Sequence, residues 1–165
     1  MKIALRLVLL AAVAGIGFWL WTVLFPSPEK IVLKKISNLA ATATVSAADG
    51  NITRATKVGN LISYFAPDAE VTYDVSDVGS HTFASRDEIR EAAAGAFTQL
   101  SSLKVQFFDA AATVGPDRQS AVVTCTAKVN IAGGKEFGIQ ELRFQFSKID
   151  RDWLITRAET VKTLQ

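Results

Sequence analysis

Residues Leu7 to Phe25 run for nineteen positions without a charge, and few folds accommodate such a run. At ~1.5 Å per residue it spans about 28 Å as a helix, close to the hydrocarbon thickness of a bilayer. A cleaved secretory signal would be shorter and would end at small residues. Ala12-Val13-Ala14 offers such a site, but cleavage there would leave Phe18, Trp19, Leu20, Trp21, Val23, Leu24 and Phe25 at the start of the mature chain. Residues 1–28 are therefore expected to form an uncleaved single-pass anchor and linker, touching membrane lipid through residues 7–25. Trp19 and Trp21 suit the headgroup boundary at its far end. Lys2 and Arg6 favour an inside N-terminus, although Lys30, Lys34 and Lys35 blunt the asymmetry. The rest of the chain is then expected on the extracytoplasmic side.

Residues 29–165 are enough for one domain with its own core. The chain has 18 basic and 16 acidic residues, and two of the basic ones precede the apolar run. The remainder is thus balanced in charge, with no basic cluster beyond Lys34-Lys35. That argues against nucleic acid as a partner, because phosphate neutralisation supplies most of such affinity. A single cysteine permits no internal disulfide, and Cys125 lies in an apolar, β-branched stretch that suits a buried core residue. One histidine and no cysteine cluster argue against a metal site. No phosphate-cradling glycine loop and no Gly-x-Ser-x-Gly elbow is present, so no cofactor is expected.

Pro26-Ser27-Pro28 restarts the chain after the run. Ser27 suits a helix cap, Pro28 the first helical position and Glu29 the positive dipole end. Val32, Ile36, Leu39 and Ala43 then recur at helical spacing, predicting a helix to about Ser46. Beyond an Asp49-Gly50-Asn51 turn, a second helix is expected, with Ile52, Ala55, Val58, Leu61, Ile62 and Phe65 as its apolar stripe and Pro67 as its stop. Glu70–Val75 and His81–Ala84 read as a short hairpin. Ser85-Arg86-Asp87-Glu88 is a capping box opening a third helix, whose apolar face is Ile89, Ala92, Ala93, Ala96, Phe97 and Leu100. From Leu103 the period changes to two, with a bulge predicted at Phe108. Turns at Gly115-Pro116-Asp117-Arg118, Gly133-Gly134 and Asp150-Arg151-Asp152 divide the rest into four long strands of an antiparallel meander. The class is α+β: three helices packed on a strongly bent antiparallel sheet, preceded by one transmembrane helix.

Leu61-Ile62-Ser63-Tyr64-Phe65-Ala66-Pro67-Asp68-Ala69-Glu70-Val71 and Ile149-Asp150-Arg151-Asp152-Trp153-Leu154-Ile155-Thr156 carry a resemblance to the nuclear transport factor 2-like superfamily, in particular its SnoaL-like branch. Ser85 to Ile89 fits the start of the third helix of that fold. The resemblance implies a cone-shaped α+β barrel over residues 29–165, with a pocket at the wide end and, in many members, a dimer through the outer sheet face. Glu141, Arg143, Gln145, Arg157 and Glu159 share strand parity and are expected as a charge ladder on that face.

The superfold hosts enzymes, binders and assembly modules alike. Two functions therefore follow as expectations. The first is non-catalytic binding of a partner protein or a small apolar ligand, with Tyr64, Tyr73, Phe83, Phe107 and Trp153 lining the cone. The second is an isomerase- or dehydratase-type enzyme with His81 as base, oriented by Asp74 or Asp77, since histidine is the side chain that ordinarily titrates nearest neutrality.

Overall fold

The computed structural model describes Gly15 and residues 26–75, 79–132 and 135–161. The apolar run expected as an anchor and the Gly133-Gly134 turn lie outside the described residues. Among the described residues, no helix is long and apolar enough to cross a membrane.

The chain runs α1 (Pro28–Ala43), α2 (Asn51–Ile62), β1 (Phe65–Val75), β2 (Gly79–Phe83), α3 (Arg86–Gln99), β3 (Leu103–Val114), β4 (Ser120–Ile131), β5 (Lys135–Ile149) and β6 (Asp152–Val161). The six strands form one sheet in the order β2-β1-β6-β5-β4-β3. The expected meander from β3 to β6 is antiparallel throughout. The sheet as a whole is not, because β1 lies parallel to β6, with Val71 beside Ala158 and Thr72 beside Glu159. That parallel joint places the early β1–β2 hairpin at the far edge from β3.

Helix α1 presents Val32, Ile36, Leu39 and Ala40 to the sheet, where each is buried. It ends at Ala43, before the expected Ser46, because Thr44 turns extended (φ −79°, ψ 124°) and the chain pairs with the start of β3. Val45 N–H donates to Leu103 O at 2.7 Å, and Leu103 N–H returns a bond to Val45 O at 2.9 Å. Burying a β-branched residue in a bridge outweighs one more helical turn. Helix α2 is also shorter than its pattern. Ile52, expected on the buried stripe, is 85% exposed at the helix start. Pro67 does not stop this helix, which ends at Ile62. It sits inside β1, where the register with β6 shifts between Phe65 and Glu70, so its missing N–H costs no ladder bond.

The capping box is present at α3. Glu88 N–H donates to Ser85 Oγ at 3.2 Å, while the Glu88 carboxylate reaches back to the N–H of Ala84 at 2.8 Å. The end of the same helix is held by a residue the sequence pattern did not single out. The Arg54 guanidinium on α2 donates to the carbonyls of Phe97, Leu100 (2.8 Å) and Ser101 (3.1 Å), and also to those of Asp49 and Ser46. Carbonyls left unpaired at a helix end carry partial negative charge, and a forked cation meets several of them at once.

The predicted bulge falls where expected, as the β3–β4 register shifts between Phe108 and Ala111, with Asp109 at φ 52°. A second bulge in β6 reverses its parity, so Trp153, Ile155 and Ala158 all face the core. Phe144 and Phe146 from β5 and Ala121, Val123, Cys125 and Ala127 from β4 complete that inner face. Removing the guanidinium by Arg54→Ala is expected to cost about 2–3 kcal/mol in urea unfolding, with Arg54→Lys recovering only part of it. Ser85→Ala should cost about 1 kcal/mol.

Candidate functional site

The inner faces of the sheet and of α1 do not fill the cone completely. A pocket of about 200 Å³ remains, lined by Leu39, Ala43, Leu61, Tyr73, Phe107 and Phe144, with Phe65, Val71, Leu142 and Ala158 completing its wall. Strand alternation explains the lining. Leu142 and Phe144 are inward positions of β5, and they pair across to Cys125 and Val123 of β4. Phe107 precedes the β3 bulge and meets Phe144 edge-on, with ring centroids 5.7 Å apart. The wall is carbon almost throughout. Thr72, Glu159 and Thr160 also border it. The Glu159 carboxylate, however, points to the outer face, where it pairs with Arg143 and Arg157.

Of the aromatics expected to line the cone, Tyr73 and Phe107 do so. Trp153 is buried in the core at the start of β6, and Tyr64 packs beside that core. Phe83 lies on β2, where its ring meets His81 edge-on at 4.7 Å. Sequence reasoning missed Leu39, Ala43, Leu61, Leu142 and Ala158 as lining residues. Their inward periodicity was readable, but a filled core and a hollow one share the same pattern.

His81 is exposed on the edge strand β2, directly across from Tyr73, with the two ring centroids 6.0 Å apart. It therefore stands next to a pocket-lining residue without lining the pocket. Asp74 is registered with Ser80, one step along the ladder, so its side chain leaves the hairpin on the face opposite His81. The Asp74 backbone N–H donates to Thr160 Oγ1 at 2.9 Å. Asp77 lies outside the described residues. Among the described residues, no group of three or more His, Cys, Asp or Glu is placed to hold a metal.

The charge ladder is present on the outer face. Arg143 faces Glu159 across β5 and β6 at 3.4 Å, and Arg157 bridges Glu159 (3.3 Å) and Glu70 (3.5 Å). Such half-exposed pairs contribute about 0.2–1 kcal/mol each. The same face carries Phe108, Val122 and Ile139, three of the exposed large hydrophobic residues.

No protein-family profile and no curated protein matches the chain by sequence. Solved structures do match it in shape. A scytalone dehydratase-like protein from Novosphingobium aromaticivorans superposes with a TM-score of 0.57 at 16% identity, over 82% of this chain and 83% of that one. An NTF2-like protein with a cystatin-like fold from the same organism gives 0.57 at 20% identity, over 77% and 79%. The yeast UBP3-associated protein BRE5 gives 0.59 at 14%, over 81% and 95%. At these identities the likeness defines the fold. The chain has the same cone fold as these NTF2-like structures: three helices on one curved six-stranded sheet.

Cys125 is the one thiol, on the inner face of β4, and burial pushes it up to about 11. The raised value means the folded state favours the protonated thiol, so the thiolate that reacts with disulfides is scarce at pH 8. The expected outcome is that a chromogenic aromatic disulfide leaves Cys125 unmodified in the native protein at pH 8 and modifies it at once in urea.

Proposed function

We propose that this chain is a membrane-tethered cone-fold binding protein that holds a small, uncharged, apolar ligand and performs no chemistry on it. The observation that carries this reading is the pocket wall, which is almost all carbon and, among the described residues, has no inward-pointing carboxylate or imidazole. At about 200 Å³ it is smaller than the ~300–1,000 Å³ typical of sites for drug-sized molecules. A ligand of one ring or a short branched chain suits it. The tether is the apolar run at residues 7–25, whose length and distal tryptophans support a single span with the domain on the extracytoplasmic side.

The outer face supports a homodimer as the partner arrangement. Its alternating charges, Glu70, Arg157, Glu159, Arg143 and Glu141, are self-complementary under a two-fold axis, and Phe108, Val122 and Ile139 supply apolar area between them. A second reading, an isomerase or dehydratase using His81 with Asp74 or Asp77, draws on one observation, the His81 ring beside Tyr73 at the pocket's border. The opposite faces of His81 and Asp74 weigh against that pairing.

Fluorobenzene titrated into the protein and followed by fluorine NMR is expected to show a bound signal. At a hundredfold excess over its Kd it should stabilise the fold by about 2.7 kcal/mol. Ala158→Leu, which adds carbon into the pocket, is expected to abolish that signal while the protein still unfolds cooperatively. Absence of any bound signal in the parent protein would remove the ligand reading. For the dimer, Val122→Glu combined with Phe108→Glu is expected to halve the mass seen by sedimentation without loss of the fold.

A further inference from the structure

We infer that the domain stands on an anionic lipid surface on the end of the cone where α1 begins, and that the apolar pocket lies at the opposite end, facing the aqueous phase. This rests on the tether proposed for residues 7–25, and it adds which face of the domain meets the headgroups.

Chain reach is the first argument. Only Pro26 and Ser27 separate the last residue of the apolar run from Pro28, the first residue of α1. Two extended residues span at most about 7 Å. Whatever surrounds the start of α1 is therefore held within that reach of the run's end.

Strand direction then determines what surrounds it. Glu29, in the first turn of α1, feels the charge of Arg118 in the β3–β4 turn, and Lys35 Nζ lies 4.0 Å from Asp152 at the start of β6. The Lys148 N–H donates to Gln119 O at 2.8 Å, joining the β3–β4 turn to the end of β5. The linker, the β3–β4 turn and the β5–β6 turn thus meet at one end. Much of the pocket is built from the other halves of the same elements, with Leu61 and Phe65 reaching it from nearer the linker end. Leu39 and Ala43 are in the last turns of α1, Phe107 is early in β3, and Tyr73 and Thr160 are late in the parallel strands β1 and β6. Sixteen helical residues cover about 24 Å, which places Leu39 and Ala43 about three to four helical turns from the linker.

Charge is the second argument. Lys30, Lys34, Arg118, Lys148 and Arg151 are exposed at the linker end, with Lys35 half-buried beside them. The acids at this end are Glu29, Asp117, Asp150 and Asp152. Three of them are engaged locally. The Glu29 carboxylate accepts from its own backbone N–H and from the Ser27 side chain, and Asp152 faces Lys35. Asp117 accepts bonds from the N–H groups of Gln119 and Ser120 and from Ser120 Oγ within its own turn. The six cations outnumber these four carboxylates and give the end a net positive charge, which suits phosphate-bearing headgroups.

Turn chemistry is the third. Arg118 and Arg151 adopt φ of 54° and 74°, a left-handed backbone in which glycine or asparagine costs least. At both tips of the linker end the chain carries arginine where local geometry asks for a smaller residue.

The test uses the full chain with Cys125→Ala and one new cysteine carrying an environment-sensitive fluorophore. Gln119→Cys reports the linker end, while Ala48→Cys and Ser101→Cys, both exposed positions, report the opposite end. Each is reconstituted into vesicles of phosphatidylcholine and phosphatidylglycerol containing headgroup spin-labelled lipid. The label at 119 is expected to be quenched several-fold more than those at 48 and 101. Arg118→Glu with Arg151→Glu should reduce the quenching at 119 in these vesicles and leave it unchanged in pure phosphatidylcholine. Equal quenching at the two ends, stronger quenching at 48 or 101, or indifference to the charge reversal overturns the inference. Flotation of the same samples separates the two readings: a chain that does not float with the vesicles refutes the tether itself, whereas one that floats with the wrong label quenched refutes only the orientation.

Discussion

The parallel pairing of β1 with β6 is the joint on which this structure depends. Without it, the β1–β2 hairpin would have no sheet to belong to, and the meander would end in an open edge at β6. The joint is made twice. Ile155 N–H donates to Tyr64 O at 2.8 Å where β1 begins, and the ladder resumes from Glu70 beside Arg157 after a register shift. Between those points Phe65, Ala66 and Ala69 turn their side chains into the core, with almost none of their surface left exposed. Two small alanines let the strand approach closely where the ladder is interrupted. The shift also bends the sheet, and a bent sheet can wrap α1 on one face while leaving the other open.

The joint was only half legible in the sequence. Period-two alternation from Leu103 onwards gave the four long strands and their antiparallel order, because hairpin turns leave little freedom in how neighbours pair. The capping box at Ser85 and the bulge at Phe108 were equally readable, since each is a local pattern answered by local geometry. The partner of β1 was not, because it lies some ninety residues away (Val71 beside Ala158) and nothing between them encodes its direction. The same limit explains Pro67. Read locally it stops a helix, but in the sheet it sits where no partner asks for its N–H. Ile52 shows the opposite failure, in which a residue in phase with the buried stripe falls too near the helix start to be covered.

The candidate site was less legible than the fold for a related reason. Tyr73 and Phe107 were identifiable as inward aromatics, yet so was Trp153, which the core closes over completely. Whether an inward residue lines a void or fills one depends on the volumes of all its neighbours, and the alanines at 43 and 158 make the difference here. Two small residues in the same wall as Leu61 and Phe107 leave room that a pair of leucines would occupy. Comparable shapes in a dehydratase-like protein and in a ubiquitin-protease-associated protein show the same backbone serving unlike ends. In this chain the side chains that face the hollow are mostly carbon, with Thr72, Tyr73 and Thr160 also in its wall.

Polarity along the cone follows from these same constraints. β6 runs from the turn at Asp150-Arg151 towards the pocket, and β1 must run with it because the two are parallel. α1 begins near that turn and ends near the pocket, its last residues tied to the start of β3 by Val45 and Leu103. The basic turns therefore lie at one end of α1, β3 and β6, and the hollow opens toward the other, reaching back as far as Phe65. The separation of a charged base from an apolar hollow is thus a property of the topology, set by the direction of one strand pair rather than by any single side chain.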